Sequence, residues 1–164
     1  MIVIADTSPL NYLIRLGHSE LLQVIYGRVL VPPAVLMEMK HPEAPHEVRA
    51  WASQPPAWLE EIQVQQLDAS IPAELGIGER QAISLALEVR ADLLLIDDRA
   101  GRQEAEARDI AVAGTLAVLL QAGLRGYIDF PVAMEQLRQC GFRTSESIEA
   151  SVIALYTQAR NPKS

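Results

Sequence analysis

The sequence has almost no cysteine and no long apolar run. Its single cysteine, Cys140, cannot form an internal disulfide, which agrees with a reducing compartment. No apolar stretch approaches the roughly 18 residues that a membrane-spanning helix needs. The opening segment "MIVIA" breaks at Asp6 and lacks the basic leader and cleavage site of a signal peptide. We therefore expect a soluble cytoplasmic protein that makes no contact with a membrane.

Positive charge is also in short supply. Lys and Arg number 14 against 21 Asp and Glu, which gives a formal net charge of −7 at pH 7. A general nucleic-acid binder draws much of its affinity from Lys and Arg on phosphates, so this balance argues against that class. It does not exclude an enzyme whose own metal ions meet the phosphates. Where the negative charges lie therefore matters more than their sum.

Short apolar runs alternate with amphipathic segments along the chain. Four runs have the composition of strands buried on both faces, namely residues 2–5, 29–31, 93–96 and 110–113. A fifth strand is expected at a sheet edge, over residues 62–64. Strands that alternate with helices indicate βαβ units and hence a parallel sheet covered on both faces. The sequence thus predicts an α/β fold, a three-layer α/β/α sandwich with a central parallel sheet.

Start and stop signals for helices lie between these runs. Ser8 and Pro9 are expected to be the N-cap and the first residue of the first helix, and Gly17 is expected to end it. Ser145 or Thr144 is expected to cap the last helix. The other helices are expected over residues 19–26, from 33 onward, and over 47–52, 78–90, 99–109 and 115–122.

The chain shows no internal repeat at a spacing of about 20 to 50 residues, which excludes solenoids and propellers. We expect a single domain over residues 1–160, in which 131–160 forms a C-terminal helical extension. Residues 161–164 are expected to be a frayed tail.

Carboxylates stand where the predicted strands end. Asp6 follows the first strand, and Asp97 and Asp98 close the apolar run "LLLIDD". Glu38 is an isolated charge in the helix "PPAVLMEM", and Glu79 lies in the first turn of the helix before the Asp97 strand. Open α/β sheets bind ligands beyond the carboxyl ends of their strands. The five side chains are therefore expected to meet at one edge of the sheet.

Each of these acids also has an ordinary structural interpretation. Asp6 could form an Asx turn or cap a helix, and Asp97 and Asp98 could form a polar turn. Glu38 could lie on a solvated helix face, and Glu79 could be stabilised by a helix N-terminus. Together, however, they would repel one another, by about 4 kcal/mol for each pair about 4 Å apart at a dielectric of about 20. Mg²⁺ or Mn²⁺, which prefer oxygen ligands, would compensate that charge.

Four segments, taken in order, resemble the PIN-domain ribonucleases, and in particular the VapC-type toxins of toxin–antitoxin pairs: "IVIADTSPL", "VPPAVLMEM", "GERQAISLA" and "LLLIDDRAGR". The resemblance implies a PIN-like fold and a ribonuclease that depends on Mg²⁺ or Mn²⁺. It implies that Asp6, Glu38, Glu79 and Asp98 are the catalytic, metal-binding acids. Asp97 stays an alternative ligand or a residue that supports Asp98.

Four polar side chains beside these acids are candidates for binding the substrate. By the resemblance, Thr7 or Ser8 contributes an oxygen near Asp6. Arg99 and Arg102 directly follow the aspartates and could approach RNA phosphates. A solvated helix face, or ion pairing with the acidic edge, is the simpler interpretation of the two arginines.

The leading hypothesis is a metal-dependent endoribonuclease, the toxin of a type II toxin–antitoxin pair, which hydrolyses RNA phosphodiester bonds with metal-activated water. The resemblance also implies a small antitoxin protein as partner, and a homodimer. The apolar stripe of Ile148, Val152 and Leu155 could serve that interface or cover the sheet. Two alternatives stay open: a PIN-like interaction protein without catalysis, and a receiver-like phospho-signalling domain, which also carries an Asp pair.

Overall fold

A computed structural model of the chain describes residues 1–161. The strands are β1 (Val3–Ala5), β2 (Val29–Val31), β3 (Leu59–Glu61), β4 (Leu93–Leu95) and β5 (Val112–Ala113). The helices are α1 (Thr7–Arg15), α2 (Glu20–Tyr26), α3 (Pro33–Met39), α4 (His46–Ser53), α5 (Ile77–Val89), α6 (Arg99–Glu106), α7 (Thr115–Leu124), α8 (Phe130–Gln139) and α9 (Glu146–Arg160). This order confirms the predicted alternation of strands and helices.

All five strands join one parallel sheet in the order β3-β2-β1-β4-β5. Ile4 of the central strand β1 pairs with Leu30 of β2 on one side and with Leu94 of β4 on the other. The chain therefore builds outward from β1 in one direction and then returns to add β4 on the opposite side. The switch point of the topology lies between the carboxyl ends of β1 and β4, which is where open α/β sheets hold their ligands.

Both faces of the sheet are buried. One hydrophobic cluster takes Ile4, Leu30 and Leu94 from the strands and packs them against residues of α5 and α6. The neighbouring strand residues Val3 and Val29 point to the opposite face, because side chains alternate along a strand, and both are 0% exposed. Helices thus cover the sheet on both sides, and the predicted three-layer α/β/α class is confirmed.

The edge strand lies three residues before its predicted place at 62–64. It occupies Leu59–Glu61, and Leu59 pairs in parallel register with Val29. Ile62 extends this ladder by one further bond, its N–H donating to the Val31 carbonyl over 2.9 Å. The alternating apolar pattern at 62–64 has a different origin, because Ile62 and Val64 pack against the hydrophobic cluster from a segment outside the strand.

The first helix begins at Thr7, before the predicted start at Pro9, and its N-cap residue is Asp6 in place of Ser8. Asp6 still belongs to the sheet ladder through its backbone N–H, so the strand passes into the helix without a connecting turn. Pro9 is accommodated in the first turn, where its missing N–H removes no intrahelical bond. Gly17 follows the helix with φ 76°, which confirms it as the predicted stop.

The chain forms two compact units, Met1–Thr115 and Leu116–Ser164. The first holds the whole sheet, and the second holds α8 and α9. In the second unit Ser145 caps α9 as predicted, accepting a hydrogen bond from the Ile148 N–H over 3.2 Å.

A single domain over 1–160 with an extension at 131–160 stays a prediction. Of the predicted tail at 161–164, residues 162–164 lie outside the described residues. Within residues 1–161, no helix has the length and apolar character to cross a bilayer.

Candidate functional site

Asp6 lies at the sheet edge where β1 passes into α1. Its backbone N–H donates to the Leu95 carbonyl over 2.8 Å, which fixes it beside the end of β4. The side chain is 2% exposed and forms no cap bond with α1. Its Oδ1 atom is buried and has no hydrogen-bond partner within the described part of the chain. A buried acceptor without a partner is unfavourable, so this oxygen is available for a ligand.

Electrostatic coupling shows that the predicted acids lie together. Burial raises the pKa of Asp6 from 3.8 to about 8, and the charges of Glu79, Glu38 and Asp97 contribute in the same direction. The pKa of Glu79 is also raised, first by burial and then by the charges of Glu38 and Asp98. We call these five residues the acidic cluster.

Glu38 is held by two donors from different helices. The Thr7 hydroxyl of α1 donates to Glu38 Oε2 over 2.5 Å, and the Gly78 N–H of α5 donates to Glu38 Oε1 over 3.2 Å. A Cβ atom at position 78 would collide with the Glu38 carboxylate, so this close approach requires glycine. The side chain of Glu38 is thus oriented by α1 and α5 together.

Asp97 and Asp98 accept hydrogen bonds from different parts of the chain. Asp97 Oδ1 accepts the Thr115 N–H and Asp97 Oδ2 accepts the Thr115 hydroxyl, both over 2.7 Å. Burial raises the pKa of Asp97, although these bonds and the charge of Arg102 oppose the shift. Asp98 is exposed and caps α6, its Oδ2 accepting the Gly101 N–H over 2.7 Å. The two adjacent aspartates are therefore not equivalent.

The predicted substrate-binding residues differ in their relation to the acidic cluster. Thr7 contacts it directly through Glu38. Arg102 is half-buried, and its charge opposes the raised pKa of Asp97, although the four salt bridges found among the described residues do not include this pair. Ser8 is half-buried in the first turn of α1, and Arg99 is exposed at the first residue of α6. Thus Thr7 and Arg102 are engaged with the cluster, whereas Arg99 faces solvent.

Three small residues that shape the acidic cluster were not predicted from the sequence, namely Thr115, Gly101 and Gly114. Thr115 is 0% exposed and binds Asp97. A Cβ atom at Gly101 would lie 2.7 Å from Ile96 Cδ1, and one at Gly114 would lie 2.7 Å from Asp97 Oδ1. The available signal was the pair Gly-Thr between a predicted strand and a predicted helix, a position typical of caps and close backbone approaches.

The donor set of the acidic cluster suits a hard divalent cation. Carboxylate oxygens are the ligands that Mg²⁺ and Mn²⁺ prefer, and Asp6 Oδ1 is a buried oxygen in need of a partner. Within residues 1–161, no three His, Cys, Asp or Glu side chains already stand as a ligand set. Mg²⁺ does not need such a set, because it usually takes one or two carboxylates and completes its shell with water and substrate phosphates. The residues therefore fit a hydrated divalent cation.

Comparison with known proteins gives one family match. A family model described as PIN domain matches residues 2–158. No curated protein and no solved structure matches the chain. PIN domains are generally nucleases that depend on divalent metal ions. Because the match spans nearly the whole sequence and the parallel sheet agrees with it, the chain belongs to the PIN-domain family, as its motifs predict.

Proposed function

We propose that the protein is an endoribonuclease that uses Mg²⁺ or Mn²⁺ to hydrolyse RNA phosphodiester bonds. The observation that carries the proposal is the buried, unpartnered Oδ1 of Asp6 among other carboxylates at the switch point of the sheet. At such a site a bound cation is more favourable than solvent alone, because it pairs with the buried oxygen and compensates the charge of the carboxylates. Membership of the PIN-domain family supports nuclease chemistry, and RNA as the substrate is the proposal's own step.

Four acids of the cluster are proposed to hold the cation. Asp6, Glu38, Glu79 and Asp98 would hold the cation, which when bound supplies Lewis-acid activation of water and compensates the charge of the phosphodiester. Because Asp6 has a raised pKa, binding of a cation there would release the Asp6 proton to solvent. Thr7 keeps Glu38 oriented, so that its carboxylate needs little reorganisation during the reaction.

Residues near the cluster are proposed to hold the RNA. Arg99 is exposed directly after Asp98, so its guanidinium can reach a backbone phosphate from solvent. Ser8, in the same turn as Thr7, is the second hydroxyl proposed to contact the RNA. The net charge of −7 does not favour long-range attraction of RNA to the protein. RNA binding is therefore proposed to depend on contacts at the site itself, with the cation providing much of the attraction.

Cleavage of a mixed pool of structured and single-stranded RNAs tests the proposal. The purified chain is incubated with Mn²⁺ or Mg²⁺ beside Asp6→Asn, a chelator control and the matched control Asp109→Asn. Asp109 is exposed and has φ 61°, a conformation that asparagine adopts readily. Discrete cuts that vanish with Asp6→Asn and chelator, and persist with Asp109→Asn, support a metal nuclease. Cuts that survive Asp6→Asn would overturn it.

We also propose, on the family resemblance, that the protein is the toxin of a type II pair, restrained by a small antitoxin protein, and that it forms a homodimer. Ile148 and Leu155 on α9 are 50% and 54% exposed, which leaves apolar surface for a protein partner to cover. Sedimentation equilibrium over a range of concentrations tests the dimer. Growth of host cells that express the chain or Asp6→Asn tests toxicity, since only the active chain should arrest growth.

A non-catalytic interaction protein is the second candidate. The observation in its favour is that, among the described residues, no three potential ligands already stand as a metal site. It predicts that Mn²⁺ stabilises the chain without any cleavage of the RNA pool. The receiver-like alternative has less support, because the Asp pair follows β4 and not the first strand.

A further inference from the structure

We infer that Asp97 does not bind the cation of the proposed nuclease site, and that its carboxylate instead clamps Thr115 and so positions Asp98. This inference rests on the proposed function, since it divides that site's two adjacent aspartates between a positioning residue and a ligand. The sequence alone leaves the choice between the two open.

By binding a cation, Asp97 would lose two hydrogen bonds. Both of its oxygens accept charge-assisted hydrogen bonds of 2.7 Å from Thr115, one from the N–H and one from the hydroxyl. Thr115 is 0% exposed, so water does not reach these donors if the carboxylate turns away. Leaving two buried donors unpaired is strongly unfavourable. Both donors to Asp97 belong to one fully buried residue, whereas Glu38, whose two oxygens also accept hydrogen bonds, has the half-buried Thr7 as one of its donors.

The charges around Asp97 also differ from those around Asp6. Arg102 of α6 acts on Asp97 as a positive neighbour. A Cβ atom at Gly114 would lie 2.7 Å from Asp97 Oδ1 and 3.3 Å from an Arg102 guanidinium nitrogen, so all three groups meet at one point. Asp97 therefore has a positive side chain of the chain itself nearby, although the two do not form a salt bridge within the described residues. Asp6 has no such neighbour among the groups that act on it, which are carboxylates apart from one backbone bond.

The hydrogen bonds from Thr115 to Asp97 also constrain the position of Asp98. Thr115 holds the residue before Asp98, and Gly101 holds Asp98 itself by donating its N–H to Oδ2 over 2.7 Å. Gly101 also packs tightly on Ile96, the last residue before the pair. The turn is thus fixed on both sides. Asp98 is exposed, and one of its carboxylate oxygens accepts the hydrogen bond that caps α6. Its other oxygen is free within the described part of the chain, so Asp98 is the member of the pair that can bind a cation.

Mn²⁺ titration, with free Mn²⁺ measured by electron paramagnetic resonance, tests the inference without relying on cleavage. The variants are Asp97→Asn, Asp98→Asn, Thr115→Val and the conservative Thr115→Ser. We expect Asp98→Asn to lose the site, whereas Asp97→Asn and Thr115→Val keep it with affinity about tenfold weaker, the usual effect of a group that supports a ligand. Thr115→Ser keeps the hydroxyl and should restore the affinity to within about twofold of wild type.

Two results would overturn the inference: loss of the Mn²⁺ site in Asp97→Asn to the same extent as in Asp98→Asn, or unchanged Mn²⁺ affinity in Thr115→Val. If the wild type itself binds no Mn²⁺, it is the proposed metal site that fails. Hydrogen exchange of the Thr115 amide in the metal-free protein then tests the hydrogen bonds between Thr115 and Asp97 independently of metal binding. Slow exchange in wild type and Thr115→Ser, and fast exchange in Asp97→Ala, support it, whereas fast exchange in wild type refutes it. Thermal unfolding of each variant shows that it is folded.

Discussion

The Thr7 hydroxyl donates a hydrogen bond to Glu38 Oε2 over 2.5 Å, across 31 positions of sequence. The opposite oxygen of the same carboxylate accepts the Gly78 N–H. Glu38 therefore has a fixed orientation before any cation or RNA arrives. Preorganisation of this kind lowers the cost of assembling charged groups at the moment of reaction.

Replacement of Thr7 tests this orientation. Thr7→Val removes the donor at nearly constant volume, and we expect Mn²⁺ affinity and kcat/KM for RNA to fall about tenfold, as for other residues that support a ligand. Thr7→Ser retains the hydroxyl and should behave as wild type. Equal losses in both variants would show that packing of the methyl group, and not the hydrogen bond, is what matters.

Gly78→Ala should harm the site although it favours the helix. Alanine is better than glycine in a helix by about 1 kcal/mol, but its Cβ would displace the Glu38 carboxylate. We expect weaker Mn²⁺ binding and slower cleavage with little loss of thermal stability. The matched control is Ile77→Ala, in the same turn and 45% exposed, which raises helix propensity without a new contact. Full activity in Gly78→Ala would show that the hydrogen bond from Gly78 is not needed to orient Glu38.

Stability of the metal-free protein should fall as pH rises. The pKa of Asp6 is about 8 in the folded chain against an ordinary 3.8, so between these values the folded state binds a proton that the unfolded state has released. Stability is therefore lost progressively as pH rises from about 4 to about 8. Urea unfolding with and without Mn²⁺ measures this. The stabilisation by Mn²⁺ should grow over the same window, since the cation binds the deprotonated carboxylate.

Asp6→Asn should stabilise the metal-free chain above the pKa of Asp6. The amide carries no charge among the surrounding carboxylates, and a pKa difference of one corresponds to about 1.4 kcal/mol, so a gain of at least about 1 kcal/mol is expected. The variant should also gain nothing from Mn²⁺. Thermal unfolding of wild type, Asp6→Asn and the control Asp109→Asn measures both effects. A metal-free Asp6→Asn that is less stable than wild type would contradict a repulsive cluster.

Replacing Arg99 and replacing Arg102 should have different effects on RNA binding and on stability. Arg99→Ala removes an exposed cation, and we expect a higher KM for RNA and a salt dependence reduced by about one phosphate contact, with unchanged stability. Arg102→Ala removes the positive neighbour of Asp97, so we expect lower thermal stability. Cleavage assays at several salt concentrations and thermal unfolding of both variants provide the comparison. An unchanged KM in Arg99→Ala would exclude it from RNA binding.

Much of the fold was predictable because local signals and burial agree. The strand at Val29–Val31 and the stops at Gly17 and Gly27 follow from apolar runs and from residues that tolerate positive φ. The edge strand was misplaced because Ile62 and Val64 have a strand-like alternation that serves core contacts from outside the strand. Sequence pattern reports which residues are buried, and does not distinguish a strand from a segment packed beside one.

The acidic cluster was predictable in membership but not in detail. Asp6 and Asp98 end neighbouring parallel strands, so topology alone brings them to one edge. The different situations of Asp97 and Asp98 depend on Thr115 and Gly101, which are remote or unremarkable in sequence. Hydrogen bonds of this kind are set by tertiary placement within a few tenths of an ångström, which composition and spacing do not encode.

The pairing of Asp6 with Leu95 has a consequence for the protein during its synthesis. β1 leaves the ribosome early, but its neighbour β4 follows only after α5, so the two strand ends meet late. A nascent chain that carries Asp6, Glu38 and Glu79 still lacks its fourth acid and the rigid edge that gathers them. Non-local pairing of this kind is slow to form. The acidic cluster is therefore complete only once β4 has been synthesised and has paired with β1.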